Sequence, residues 1–326
     1  MITLVLSRFL PGRRGLVSLL LGILLSFFSL PSLPAATIWV VTRAELGPWA
    51  LEALQHRLEQ QLGAGMSVTF RKVNGERSLD EIPSGTWILG EPESPEITGL
   101  TGFASTPLRQ DLWWMLGVWR SQVERHAGVT LPLADLQTFI EVCRSSRGRV
   151  SDAFPWFQGL YDPGTLHRLE DVLGRGTPST TASNVLQKGG LLAILNLAVE
   201  ENLLNPLSLE ADSSLAFEVF EAGDCAFSGM WVLPSMVRED SALRRRLPDL
   251  HFQAFPGPAG EAPVACISLR LFVPEAVIAS WPTTLTAEAL PSTRTVNLSP
   301  VMSQVEQDWE KKQFPKLYNR LIRGDF

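Results

Sequence analysis

The chain has 326 residues, 45% of them hydrophobic and 19% charged, with a formal charge of −6 at pH 7. That acidic balance argues against a nucleic-acid backbone as the natural partner, and the composition is that of a globular protein, neither disordered nor a multi-pass membrane chain. The length allows two lobes with a shared core, because single cores stop growing near about 250–300 residues.

Arg8, Arg13 and Arg14 precede an apolar stretch at 16–30, and Pro31-Ser32-Leu33-Pro34-Ala35-Ala36 makes a small-residue exit, so residues 1–36 read as a signal peptide. The apolar run is shorter than the roughly 20 residues a spanning helix needs, which sets an uncleaved anchor second. Arg13-Arg14 also resembles a twin-arginine signal. No cysteine follows the apolar stretch, so the product is expected to be periplasmic or secreted and not lipid-anchored. Removing this segment would move the formal charge to about −9.

Residues 37–42 are β-branched and aromatic, as a strand should be. Pro48 then opens a helix with Leu51, Leu54, Leu58 and Leu62 on one face, Gly63 ends it, and residues 67–71 alternate as a second strand. In such a βαβ unit ligands sit beyond the carboxyl ends of the strands, which makes Arg43 and Glu45 candidate pocket residues; a solvated loop is the competing reading. Residues 74–107 read as loops around a short strand at 86–89. From Asp111 the spacing of Leu112, Met115, Leu116, Trp119 and Val123 predicts a helix ending near Gly128.

Further on, Leu191, Leu195, Ala198 and Leu203 recur at near-helical spacing until Asn205-Pro206 stops them. A second helix, capped near Asp212, carries the stripe Leu215, Ala216, Val219 and Phe220 and stops at Gly223. Cys225-Ala226-Phe227-Ser228 reads as a short buried strand with Gly229 at its end and Trp231 just beyond it. Residues 264–273 form a further strand, 274–300 are rich in Thr, Pro and Ala, and 304–326 return to helical character. The four histidines lack paired spacing for zinc, and no Gly-rich phosphate loop occurs. The odd set Cys143, Cys225 and Cys266 reads as buried thiols, with a Cys225–Cys266 bridge as the alternative. Neither catalysis, metal nor cofactor is expected.

The order of elements over residues 105–275 resembles the extracellular solute-binding proteins of sugar-type ABC importers. The resemblance rests on a helix ending in Asn202-Leu203-Leu204-Asn205-Pro206, a helix closed by Glu221-Ala222-Gly223, and a small-residue strand running into Gly229-Met230-Trp231. It continues through residues 251–258 and the strand at 264–273. It implies an α/β, two-lobed, periplasmic-binding-protein-like (type II) fold, each lobe a mostly parallel sheet flanked by helices. Lobe 1 would hold residues 37–107 and 258–290 and lobe 2 residues 108–257 and 291–326, with crossovers near 105–110 and 255–265. The first lobe is shorter than the family's.

The resemblance further implies a monomer that captures a small polar solute, such as a sugar, and presents its closed form to an ABC permease in the membrane. Trp231 would stack on the ligand. In the aromatic-rich stretch 151–161, Trp156 would cover an apolar C–H face while Asp152 and Gln158 bond the hydroxyl edge. Two other readings stay open: a sensing module for a signalling partner, and a degenerate scaffold without ligand, which a filled cleft would favour.

Overall fold

A computed structural model describes residues 36–42, 44–63, 65–72, 79, 82–147, 154–161, 194–195, 197–255, 265–279 and 281. Residues 1–35 of the expected signal peptide, Arg43, Asp152 and the C-terminal helical segment lie outside them.

Strand β1 (Thr37–Thr42) is buried almost throughout. Helix α1 (Pro48–Leu62) starts on Pro48, whose missing N–H costs nothing in a first turn, and turns Trp49, Ala50, Leu54, Leu58 and Leu62 inward. It stops at Gly63, where φ is 103°. Strand β2 (Ser67–Lys72) returns parallel to β1, with Thr37 opposite Ser67, and β3 (Thr86–Gly90) lies parallel on the other side of β1.

The predicted helix from Asp111 is a strand. Strand β4 runs for 17 residues, Phe103–Trp119, and only the following Arg120–Ala127 is helical (α2). Its second half is buried on both faces, and a continuous apolar run of that kind satisfies helical spacing and a two-sided strand equally. Trp113, Trp114 and Trp119 favour the strand, where a flat ring packs on a pleated surface.

Among the described residues the strands form one seven-stranded sheet, in the order β2-β1-β3-β7-β4-β5 with β6 also on β4. Here β5 is Phe227–Val232, β6 is Leu250–Gln253 and β7 is Ala265–Pro274. The α/β class holds, with the parallel pairings confined to β1–β3 and antiparallel pairings around β4. β4 and β7 pass through both halves, and their register shifts between Ser105 and Arg109. Beyond the shift, the buried Asp111 carboxylate accepts from Arg109 Nε at 2.8 Å and from Ser268 Oγ at 2.7 Å, tying β4 to β7.

Helices α3 (Leu136–Ser146) and α4 (Ser213–Glu221) start on Asp135 and Asp212, whose side chains accept N–H groups of the first turn. Helix α5 (Ala242–Arg246) is capped likewise by Ser241. One apolar cluster runs from Ile38, Leu54 and Leu58 through Trp114 and Trp119 to Phe139, Trp156 and Phe255, so the two halves share a core. All three cysteines are buried and none is in a disulfide, so there is no Cys225–Cys266 bridge.

Trp156 is fully buried, edge-on to Phe139 at 5.3 Å between ring centroids and 6.0 Å from Phe255. Trp156→Ala is expected to cost about 3–5 kcal/mol of stability, measured by urea unfolding; a loss under about 1 kcal/mol would remove this residue from the core.

Candidate functional site

Two corners of the chain meet at the carboxyl end of β1. The first is the turn from β1 into α1. It is fixed by Thr42, whose hydroxyl donates to Glu91 Oε1 at 2.7 Å and accepts from the Ala44 N–H at 3.1 Å. Glu45, Gly47 and Trp49 follow from it. The second corner is α4 with strand β5.

The corners touch through an aromatic cluster. Trp49, 4% exposed, lies edge-on to Phe217 with centroids 4.6 Å apart, and within 6.3 Å of Phe220 and 6.5 Å of Trp119. Its indole N–H donates to Glu221 Oε1 at 2.8 Å. Glu45 Oε2 accepts from the Ser213 N–H at 3.1 Å, satisfying one of the donors a helix start leaves open. Gly47 is required by the approach: a Cβ there would lie 2.7 Å from Phe217 Cδ2. The outer Arg246–Glu52 ion pair, 3.0 Å long, is more than half exposed on both sides and contributes at most about 1 kcal/mol.

Between the corners remains a cavity of about 10 Å³, bordered by Glu45, Trp49, Trp114, Phe217, Met230 and Trp231 among others. That is room for about one water, whereas small-molecule pockets run to about 300 Å³ and more. Trp49 and Phe217, both bordering the cavity, pack against each other.

The structure places Glu45 and Trp231 together at this cavity. Trp231 lies inside β5 instead of beyond a strand end, paired across the sheet with Trp114 and 5% exposed. The strand extends that far because Gly229 is a mid-strand residue: the Trp114 ring lies against it, in space that a Cβ would need. Trp156 and Gln158 do not border the cavity and are fully buried. The 155–158 segment runs along β5, with Phe227 N–H donating to Pro155 O at 3.0 Å and Phe157 N–H to Phe227 O at 3.2 Å. Gln158 continues this ladder with its side chain, accepting from Gly229 N–H at 2.8 Å and donating to Gly229 O at 3.1 Å. Arg43 and Asp152 lie outside the described residues.

Sequence reasoning missed Trp49, Phe217 and Glu221. Trp49 had a signal, because the carboxyl-end rule that singled out Arg43 and Glu45 reaches the first turn of α1 as well. Phe217 and Glu221 had none beyond their places on α4. Burial raises the Cys143 and Cys225 thiols well above their ordinary range, so neither is a nucleophile. Among the described residues no group of His, Cys, Asp and Glu could hold a metal ion, and no helix is long and apolar enough to cross a membrane.

No family model matches the sequence, and no curated protein matches it. Solved structures do. The chain is similar to a sugar transporter from Bacillus licheniformis in complex with stachyose, with 10% identity, TM-score 0.49, and 89% of this chain and 99% of that one covered. It is similar to a solute-binding protein of an ABC transporter from Agrobacterium radiobacter K84 in complex with ribitol, with 11% identity, TM-score 0.46 and coverage of 88% and 78%. A third is maltose-bound MalE3 of T. maritima, with 13% identity, TM-score 0.44 and coverage of 88% and 78%.

Gly47→Ala is expected to push Phe217 off its place on Trp49 and to cost about 1–3 kcal/mol, read as a lower melting temperature with a weaker near-ultraviolet dichroism from the tryptophans. An unchanged spectrum and melting temperature would show that the corners are not packed in this way.

Proposed function

We propose that this chain is an exported, non-catalytic binding protein that captures a small polar solute with an apolar face, of the sugar or polyol kind, between the β1–α1 and β5–α4 corners. It would deliver that solute to an ABC permease. One observation supports the reading best: the indole rings of Trp49 and Trp231 border the same cavity as the Glu45 carboxylate at the carboxyl end of β1, and Trp49 Nε1 donates to Glu221 Oε1. Flat apolar faces beside hydrogen-bonding carboxylates are what a sugar ring needs.

The chain's own groups make the contacts proposed for the solute. Phe217 covers the Trp49 ring, while Trp49 Nε1 and Ser213 N–H take the acceptor oxygens of Glu221 and Glu45. Each polar contact can be exchanged for a hydroxyl, so binding requires the corners to part, and the measured affinity is reduced by the scarcity of the open form. The cavity of about 10 Å³ favours a second reading, in which the corners never part and the protein is a scaffold.

Tryptophan fluorescence titrated with a panel of monosaccharides, disaccharides and polyols separates the two. A saturable change is expected with at least one of them, and Trp231→Ala should weaken it by roughly 5- to 150-fold through about 1–3 kcal/mol of lost burial. If neither the wild type nor Phe217→Ala, which uncovers the Trp49 ring, gives a saturable signal with any of the panel, the scaffold reading stands.

A further inference from the structure

A second cluster of charged groups lies apart from the cleft, on β6, α2 and α5. His251 on β6 is held opposite Val118 of β4. Arg120 is the first residue of α2, its N–H donating to Asp249 O at 2.9 Å. Arg244 sits in α5, its N–H bound by the Ser241 cap at 3.1 Å. Arg120 Nη2 and Arg244 Nη1 both approach the same atom, His251 Nδ1, at 3.5 and 3.4 Å. None of the three residues borders the cleft cavity.

The count of donors and acceptors does not balance. Each guanidinium carries five N–H donors and no acceptor. Nδ1, facing only donors, must present its lone pair, which fixes a neutral imidazole protonated on Nε2. One lone pair at the limit of hydrogen-bond distance thus serves two cations. The neighbouring carboxylates do not make up the difference. Asp249 is taken by Ser121, accepting from its N–H at 2.7 Å and its hydroxyl at 2.6 Å. Glu124 stands 3.8 Å from Arg120 Nε, and that nitrogen is buried without a hydrogen-bond partner. Glu239, on the turn before α5, acts on Arg244 and His251 only through space. Arg244 is 9% exposed, yet among the described residues no carboxylate hydrogen-bonds its guanidinium. A charge so buried and uncompensated is costly.

We propose that Arg120, Arg244 and His251 form an anion-binding site for a tetrahedral oxyanion, sulfate or phosphate in chemistry, distinct from the solute cleft. An oxyanion between the two guanidinium groups would accept from both, and charge-assisted bonds of this kind are the strong ones. Protonated His251 would add a third donor. In the free protein burial, then the positive charges of Arg244 and Arg120, hold the imidazole down to about 4. An anion cancels the charge part of that depression, so its binding takes up a proton and strengthens as pH falls.

Sulfate is the probe, because it does not itself titrate in the range used. Calorimetric titration should show sulfate binding roughly 2- to 5-fold tighter at pH 5 than at pH 8, with the His251 ring proton signals moving on addition, and chloride at equal ionic strength should do neither. Arg120→Gln, at the more exposed of the two arginines, should weaken binding at pH 5 by about tenfold or more; Arg244→Gln should do the same provided its circular dichroism shows it folded. Co-sedimentation with phosphatidylglycerol vesicles, lost in the same variants, would assign the oxyanion to a lipid headgroup, and sulfate binding without co-sedimentation assigns it to a free ion. Absence of both, or sulfate binding that Arg120→Gln leaves unchanged, overturns the site.

Discussion

Strand β4 constrains everything around it. It is buried along most of its length, so its backbone N–H and C=O groups need partners on both edges. β7 supplies them along one edge, and β5 and β6 near the carboxyl end. Both halves of the molecule are therefore built on one continuous strand. Any movement between them has to bend β4 and β7, and the register shift between Ser105 and Arg109 is where the ladder is already irregular. The Asp111–Ser268–Arg109 cluster just beyond it limits how far a bend can travel.

The same continuity explains the closed cleft. With the halves held on one sheet, the β1–α1 corner lies against α4, and the shared surface is finished with core-like side chains. Parting them would expose much of Trp49 and Phe217, each worth about 1.5–3 kcal/mol when fully buried. At a cost of about 3 kcal/mol or more, the open form is held below about 1%. On the proposed binding role, a ligand would have to offset that cost before any binding is measured.

Much of this fold was legible in the sequence. The β1–α1–β2 unit followed from period and from Pro48 and Gly63; the cap at Asp212 and the stop at Gly223 also stand, because they depend on local backbone chemistry. The helix expected to run to Asn205-Pro206 ends earlier, at Glu200, with Asn202 at φ 55°, and Asn205 instead caps a short 3-10 turn. β4 was not legible: a strand buried on both faces carries no alternation, and Leu112, Met115, Leu116 and Trp119 happened to fit a helix. That error carried forward, since without β4 as the antiparallel neighbour, β5 seemed to end at Gly229 and Trp231 to stand beyond it. The site was half visible. Glu45 and Trp231 reach the cavity, but nothing in the order Trp156-Phe157-Gln158 says which side faces a cleft, and the structure spends Gln158 on the backbone of Gly229. Phe217 becomes part of the site only through Gly47, distant in sequence, which a single chain's pattern does not reveal.

The central claim is that Trp49, docked on Phe217 and Glu221, holds the two corners together. Spin labels at the exposed positions Gln55 on α1 and Glu218 on α4, read by double electron–electron resonance, test it directly. The account predicts one narrow, short distance in the otherwise wild-type protein and a longer, broader distribution in Trp49→Ala. A distribution already long and broad with Trp49 in place, or one that its removal leaves unchanged, would contradict it.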